Sequence, residues 1–162
     1  MKKYELTGET KEIGGKILHR IRALIDIPEH DVKAGDLGGW IEAEKNLSQN
    51  GAAWVTGEAL VTGWARVMDS AWVTDSARVT GSAWVMKSSD CITIGAIGSR
   101  DGTTTFYRCE DEKIYVSCGC FSGSIDDFAA KVKAVHAGTK HERTYLLAIA
   151  LAKAQLGTTE EE

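Results

Sequence analysis

The sequence predicts a mainly β protein: a triangular parallel β-helix with 18 residues (three hexads) per coil, preceded by a β-hairpin and followed by a small α+β module. Three observations predict it. The 162 residues include 17 glycines and a single proline, a six-residue pattern repeats through residues 51–86, and helical patterns are confined to the end of the chain. We therefore expect a hairpin cap over residues 1–30, a β-helix over residues 31–98 and an α+β module over residues 99–162.

The N-terminal segment has the alternation of a β-hairpin. Residues 16–25 alternate two sets of side chains, residues 4–7 form an earlier extended run, and a glycine pair at residues 14–15 separates the two. Extended runs joined by glycines are typical of a hairpin. Its charged face, with Arg20 and Arg22, is either a solvated strand surface or a site for an anion or a partner.

The central segment divides into six hexads: GAAWVT, GEALVT, GWARVM, DSAWVT, DSARVT and GSAWVM. The third position is always alanine and the fifth is always valine, which describes a short strand with one buried face. Valine favours strands because its branched Cβ fits a pleated surface. Glycine, aspartate and serine, found at the first two positions of the hexad, supply a corner. Three such strands and corners close one coil.

This spacing resembles that of the hexapeptide-repeat family, in which an aliphatic residue is followed four positions later by a small one, as Val55 is by Ala59. The resemblance implies a left-handed parallel β-helix and, commonly, a homotrimer. The chain departs from the family pattern in one respect, because its glycine or aspartate falls two positions after the valine.

The fourth hexad position lies between two inward residues and is therefore expected to point outward. Residues 18 apart should stack on one face, which pairs Trp54 with Trp72, Leu60 with Arg78 and Arg66 with Trp84. A sister subunit, another segment of the chain or a ligand must cover such an apolar surface. We expect an oligomer interface at Trp54, Trp72 and Leu60, and a cation–π pair between Arg66 and Trp84.

The C-terminal segment predicts two strands followed by two helices. The helices are expected over residues 125–136 and 142–156, where apolar residues recur at helical spacing. Ser124, three residues before Asp127, is a helix-capping signal. The last residues, 157–162, end in three glutamates and are expected to be disordered.

Three segments together resemble a group of uncharacterised phage and prophage β-helix proteins: residues 35–41 (GDLGGWI), 97–100 (IGSR) and 117–121 (SCGCF). The resemblance covers nearly the whole chain. It implies a counter-defence role in the cytoplasm of an infected bacterial host.

Composition excludes several classes of function. The formal net charge of −4 argues against a general nucleic-acid binder, which usually carries a basic surplus. The longest apolar run, residues 145–152, is too short to span a bilayer. Four cysteines without an export signal predict reduced thiols in a cytosol.

The sequence contains no convincing catalytic, metal or cofactor site, and we predict none. An acyltransferase-like enzyme is the alternative that the hexapeptide-repeat resemblance implies, but no histidine lies in the hexads. A zinc site would need the four cysteines, whose Cys-x-Cys pair is tighter than usual spacing. A cysteine nucleophile, Cys118 or Cys120 with His136 or His141 as base, is the remaining alternative.

We therefore predict a non-enzymatic, oligomeric binding protein that blocks a host defence protein or sequesters a small anionic nucleotide. Arginine can hold a phosphate with two hydrogen bonds, and an aromatic ring can stack on a base. The candidate ligand-binding residues are Arg66, Trp84, Arg78, Arg100, Arg20, Arg22 and Tyr107.

Overall fold

The computed structural model describes residues 1–157; residues 158–162, where a disordered tail was predicted, lie outside the described residues. Within the described residues, thirteen strands and two α-helices follow one another. They are β1 (Tyr4–Ile13), β2 (Lys16–Ala23), β3 (Leu37–Ile41), β4 (Trp54–Val55), β5 (Leu60–Val61), β6 (Arg66–Val67), β7 (Trp72–Val73), β8 (Arg78–Val79), β9 (Trp84–Val85), β10 (Cys91–Ile97), β11 (Gly102–Arg108), β12 (Ile114–Cys118), β13 (Phe121–Ser124), α1 (Ile125–His136) and α2 (Lys140–Leu156).

The predicted fold class, a left-handed parallel β-helix, is wrong. The strands, 2 to 10 residues long, form a mixed five-stranded sheet in the order β1-β2-β3-β5-β8, an antiparallel sheet β10-β11-β12-β13, and two parallel pairs, β4-β7 and β6-β9. The parallel ladders involve two residues per strand. Six hexads are too few for a long regular solenoid, and the antiparallel strands on either side do not continue the repeat.

The repeat nevertheless gives the short strands the neighbours that its spacing predicts. Trp54 pairs with Trp72, and Arg66 pairs with Trp84. The third-position alanines and the fifth-position valines of the hexads are at most 2% exposed and form much of the main core. The prediction that these two hexad positions point inward is therefore confirmed.

The first hexad position forms the corner between strands. The residue stacked on it in the next layer limits which side chain can occupy that corner. Gly51 has a φ of +70°, and a Cβ placed on it would lie 2.6 Å from the carbonyl oxygen of Asp69. Asp69 itself has a φ of +52°, a conformation that aspartate tolerates better than most residues. The stacked corners therefore need glycine at residue 51 but accept aspartate at residue 69.

The predicted N-terminal hairpin is confirmed, and it covers part of the repeat. β1 and β2 pair antiparallel, and the Tyr4 ring meets the Trp54 ring edge-on at a centroid distance of 6.4 Å. Trp54 is 1% exposed. Leu60 packs with Leu18 of β2 in a separate apolar cluster. The chain's own hairpin and the strand beside it, rather than a second subunit, thus cover Trp54 and Leu60.

The start of the hairpin also places a lysine inside the protein. Lys3 is 2% exposed, and its Nζ donates hydrogen bonds to the carbonyl oxygens of Ala53 (2.7 Å) and Gly51 (3.3 Å). Burial lowers the pKa of Lys3 to about 8, because desolvation disfavours the charged ammonium.

Replacing Lys3 by methionine should change how stability depends on pH. Between the folded pKa of about 8 and the ordinary value of 10.5, the unfolded chain keeps the proton that the folded chain loses. The wild-type free energy of unfolding should therefore rise with pH relative to that of Lys3→Met, by about 1–3 kcal/mol. Urea unfolding at pH 7 and pH 10 measures this. Lys2→Met, at an exposed residue, is the control; a pH-independent difference for Lys3→Met would contradict the prediction.

The C-terminal segment packs two helices on the four-stranded antiparallel sheet β10–β13, around a second core. The first helix prediction is confirmed, and the Ser124 hydroxyl accepts a hydrogen bond from the backbone N–H of Asp127. The second helix begins at Lys140, two residues earlier than predicted, because Thr139 caps it through the Glu142 N–H. The predicted domain boundaries stay predictions.

Candidate functional site

A cavity of about 280 Å³ lies beside the antiparallel sheet, between the ends of its strands and the two helices. The turn after β10, the turn between β12 and β13, and one face of α1 contribute most of its wall. The lining residues are Ile97, Ser99, Arg100, Gly102, Thr103, Cys118, Gly119, Cys120, Phe121, Phe128, Lys131, Val132, Val135, His136 and Tyr145.

Three aromatic rings form one wall of the cavity. Phe128 of α1 lies at the centre, with its ring 5.2 Å from that of Phe121 and 5.5 Å from that of Tyr145. Phe128 and Tyr145 are buried, whereas Phe121 is half-buried. Helical spacing places Val132 one turn after Phe128, where it extends the same apolar wall. This part of the cavity suits a flat, apolar group.

Two positively charged side chains, Arg100 and Lys131, line the same cavity. Both are exposed, and the His136 ring beside them is half-buried. Among the described residues that line the cavity there is no aspartate or glutamate, and within residues 1–157 neither Arg100 nor Lys131 forms an ion pair. A locally positive site therefore occurs on a chain whose net charge is −4.

The polar end of the cavity contains a thiol and a phenol. The Thr104 hydroxyl donates a hydrogen bond to the Cys118 Sγ at 3.2 Å, and that thiol donates to the Tyr145 hydroxyl at 3.7 Å. Burial, followed by the nearby Cys118, raises the pKa of Tyr145 to about 12. The Tyr145 hydroxyl therefore stays protonated at neutral pH and can donate a hydrogen bond.

This geometry does not support the alternative in which a cysteine acts as a nucleophile. Cys118, Cys120 and His136 line one cavity, but the hydrogen-bond partners of Cys118 in the described chain are the hydroxyls of Thr104 and Tyr145. A thiol is activated by a base within hydrogen-bond distance. The described residues give Cys118 no such base, because the His136 ring instead packs 5.7 Å from the Tyr145 ring.

The turn after β10 fits closely against Tyr145. Gly98 has a φ of +83°, and a Cβ on it would collide with the Tyr145 hydroxyl and ring. Glycine at this position therefore allows the backbone to approach the phenol and holds the Arg100 loop at the cavity. Of the motifs singled out from the sequence, IGSR at residues 97–100 thus has a clear structural role.

The structure separates most of the sequence-predicted ligand residues from this cavity. Arg100 alone lines it. Arg66 and Trp84 line a different cavity with Trp64 and Glu110. Arg78 is exposed on β8 and Tyr107 is 1% exposed.

The two arginines of the hairpin are engaged elsewhere. Arg20 lies 5.1 Å from the Trp40 ring centroid and 3.5 Å from a Glu58 carboxylate oxygen. Arg22 bonds the Glu5 carboxylate through two nitrogens. Arg20 is thus paired with the repeat and β3, and Arg22 with β1, and neither lines the cavity.

The aromatic contacts also differ from those expected. In the part of the chain that the structure describes, the cation–π contacts involve Lys11 and Arg20 on Trp40 and Lys45 on Trp64, so the Arg66–Trp84 pair is a strand neighbour without that contact. Trp72 is 40% exposed and stacks on His30 at 5.0 Å.

Sequence reasoning missed Lys131 and the aromatic wall as site residues. Phe128, Val132 and Tyr145 show helical spacing, which predicts core packing rather than a cavity. Lys131 has no local signal, because an exposed lysine on a helix is common. Of the helix residues that line the cavity, the sequence indicated only His136, as a possible base.

Residues 1–157 bring together no group of three histidine, cysteine, aspartate or glutamate residues that could hold a metal ion. No helix in the same range has the length and apolar character needed to cross a membrane. Comparison with known proteins found no matching family model and no matching curated protein.

Proposed function

We propose that the protein is a non-enzymatic binding protein that sequesters a small anionic ligand in the cavity between the β10–β13 sheet and the helices. One observation carries the proposal: cationic and aromatic side chains line the same cavity, and no acidic side chain lies among its described lining residues.

The chemistry of the wall defines the ligand class. An aromatic body would lie against Phe121 and Phe128, while a phosphate or carboxylate would bind Arg100 and Lys131. The volume of about 280 Å³ is at the small end for ligand sites. The ligand class is therefore a molecule with one aromatic ring system and one anionic group, such as a nucleoside monophosphate.

The phage resemblance supplies a biological role for such a site. In an infected bacterial cell, a protein that binds a signalling nucleotide without consuming it lowers the free concentration of that signal. Sequestration requires no catalytic group. This proposal favours the ligand-sequestering form of the counter-defence prediction over the form that blocks a host protein.

Isothermal titration of the full chain with nucleoside monophosphates tests the site. Each uncharged nucleoside serves as the matched ligand control and should bind at least about tenfold more weakly, because it lacks the charge-assisted hydrogen bonds to Arg100. Recovery of the nucleotide with unchanged mass after incubation would support binding without turnover.

Arg100→Ala should weaken nucleotide affinity by about 10- to 100-fold, the loss expected when one charged hydrogen-bonding partner is removed. Arg78→Ala is the matched control, because Arg78 is an exposed arginine that does not line the cavity. Equal affinities for wild type and Arg100→Ala, or a loss confined to Arg78→Ala, would contradict the proposed site.

A further inference from the structure

The hydroxyl of Tyr145 is a hydrogen-bond donor whose proton has no acceptor within residues 1–157. The side chain lines the cavity and is 8% exposed. Its one hydrogen-bond partner in the described chain is the Cys118 thiol, with 3.7 Å between Sγ and the phenol oxygen, and the thiol is the donor in that bond. The phenol O–H is therefore free to donate to a molecule inside the cavity.

A chain of hydrogen bonds fixes the direction in which this hydroxyl acts. The Thr104 hydroxyl, which is buried on β11, donates to the Cys118 Sγ at 3.2 Å. The Cys118 thiol then donates its own proton to the phenol oxygen. Because burial raises the pKa of Tyr145 to about 12, the phenol keeps its proton at neutral pH and ends the chain as a donor.

The phenol ring is held in place by packing on several sides. The Phe128 ring meets it edge-on at a centroid distance of 5.5 Å, and the His136 ring lies 5.7 Å away. The backbone at Gly98 lies so close that a Cβ there would collide with the hydroxyl. A donor that is held in one position discriminates between ligands, because it cannot turn away from a mismatched group.

Exposure divides the cavity into an outer part, which carries the positive charges, and an inner part, which carries the phenol. Arg100 and Lys131 are exposed, whereas Tyr145 is buried. A ligand that places its anionic group on the two outer cations and its ring against Phe128 therefore turns the far edge of the ring towards the Tyr145 hydroxyl.

We propose that the Tyr145 hydroxyl selects ligands whose ring carries an exocyclic oxo group, by donating a hydrogen bond to that oxygen. The inference rests on the proposed function, because it assigns a partner to the ring of the same anionic ligand. An oxo group accepts a hydrogen bond, whereas an amino group at the same ring position donates one. Two donors that face each other in a buried site are both left unpaired, so a ring with the amino group binds more weakly.

Cys118 is a positioning residue in this arrangement, because it acts through Tyr145. Its S–H occupies the accepting side of the phenol oxygen. Without the thiol, the phenol oxygen could accept a hydrogen bond from an amino group of the ligand, since a hydroxyl both donates and accepts. The discrimination between oxo and amino rings therefore depends on Cys118 as well as on Tyr145.

Inosine and adenosine 5′-monophosphate are matched probes for this selection. At the same purine carbon the first has an oxo group and the second has an amino group, while the sugar and the phosphate are identical. Isothermal titration of the full chain at neutral pH should give a dissociation constant at least about tenfold lower for inosine monophosphate. Equal affinities, or tighter binding of adenosine monophosphate, would overturn the inference.

Tyr145→Phe should remove the preference, because it deletes the O–H and keeps the ring. Inosine monophosphate should bind at least about tenfold more weakly to this variant, and adenosine monophosphate should change by about threefold or less. Tyr115→Phe is the matched control, since Tyr115 is a half-buried tyrosine of β12 that does not line the cavity. Thermal unfolding verifies that both variants fold. Equal weakening of both nucleotides by Tyr145→Phe would assign the hydroxyl to the phosphate or the sugar and refute selection of the ring.

Cys118→Ala tests the positioning role through the ratio of the two affinities. The preference for inosine monophosphate should fall to about threefold or less, mainly because adenosine monophosphate binds more tightly than it does to wild type. A merely structural role of the thiol would weaken both nucleotides alike and leave their ratio unchanged. An unchanged ratio in Cys118→Ala would therefore contradict the positioning role.

Failure of this inference and failure of the proposed function give different results. If both nucleotides bind equally and Arg100→Ala still weakens both, the anionic site is correct and selection by Tyr145 is wrong. If neither nucleotide binds to the wild-type protein, the proposed site and the inference are both wrong.

Discussion

Trp54→Ala should lower the free energy of unfolding by about 3–5 kcal/mol, the loss typical of a buried tryptophan. Trp54 is 1% exposed, and the Tyr4 ring packs edge-on against it. Removal of the indole leaves a cavity between the hairpin and the repeat, and it also deprives Tyr4 of an aromatic contact. Since small domains have about 5–15 kcal/mol of stability in total, urea unfolding followed by circular dichroism should show a large shift in midpoint.

Trp72→Ala is the matched control for this substitution. Trp72 is the strand partner of Trp54 and occupies the same hexad position, but it is 40% exposed and contacts the His30 ring. Its removal should cost about 1 kcal/mol or less. Equal losses for the two variants would show that the hairpin does not seal the Trp54 side of the repeat.

Gly98→Ala should destabilise the protein by about 3 kcal/mol or more and should also disturb the ligand cavity. Alanine adopts the observed φ of +83° only with strain of about 1–2 kcal/mol. In addition, its Cβ would collide with the hydroxyl and ring of Tyr145. The phenol must move, which breaks its contact with Cys118 and shifts the loop that carries Arg100.

Gly119→Ala separates these two costs, because Gly119 also has a positive φ, +57°, but a Cβ there meets nothing within 4 Å. Thermal unfolding should show a loss of only about 1–2 kcal/mol for this variant. Nucleotide affinity, if the proposed site is correct, should fall for Gly98→Ala through the displaced Arg100 loop. Equal destabilisation of the two variants would argue against close packing of Gly98 on Tyr145.

The hexad pattern predicts the local structure of residues 51–86 well. Alternation of alanine, a variable residue and valine is a local property, and it produces short strands with alanine and valine inside. The pattern does not indicate how many stacked layers of short strands form. That number depends on the flanking segments, which pair antiparallel instead of adding further repeats. The predicted β-helix fold class is wrong for this reason.

The fourth hexad position shows the limit of a repeat most clearly. Trp54 and Trp72 occupy equivalent positions of the repeat, yet Trp54 is buried and Trp72 is exposed. The difference arises because β1, distant in sequence from both, packs against only one of them. Periodicity assigns a residue to a face of a strand, but it does not indicate what lies above that face.

Most residues of the candidate site could not be predicted from the sequence. The sequence predicts Arg100 as a ligand-binding residue, but it groups Arg100 with arginines of the hairpin and the repeat that do not line the cavity. Lys131 and the aromatic wall come from α1 and α2, where helical spacing indicates only a buried face. A cavity forms where several packed elements leave space between them, so its presence cannot be predicted from any single segment.

Local patterns in the sequence are sufficient to predict the hairpin, the repeated short strands, the capped helix α1 and the inward alanines and valines. Side-chain periodicity, turn residues and caps act over a few residues, so they can be read along the chain. The three-dimensional structure is needed to show how many layers the repeat forms, which tryptophan is covered, and that Arg100, Lys131 and Tyr145 line one cavity. Those outcomes depend on contacts between segments far apart in the chain, which local patterns do not specify.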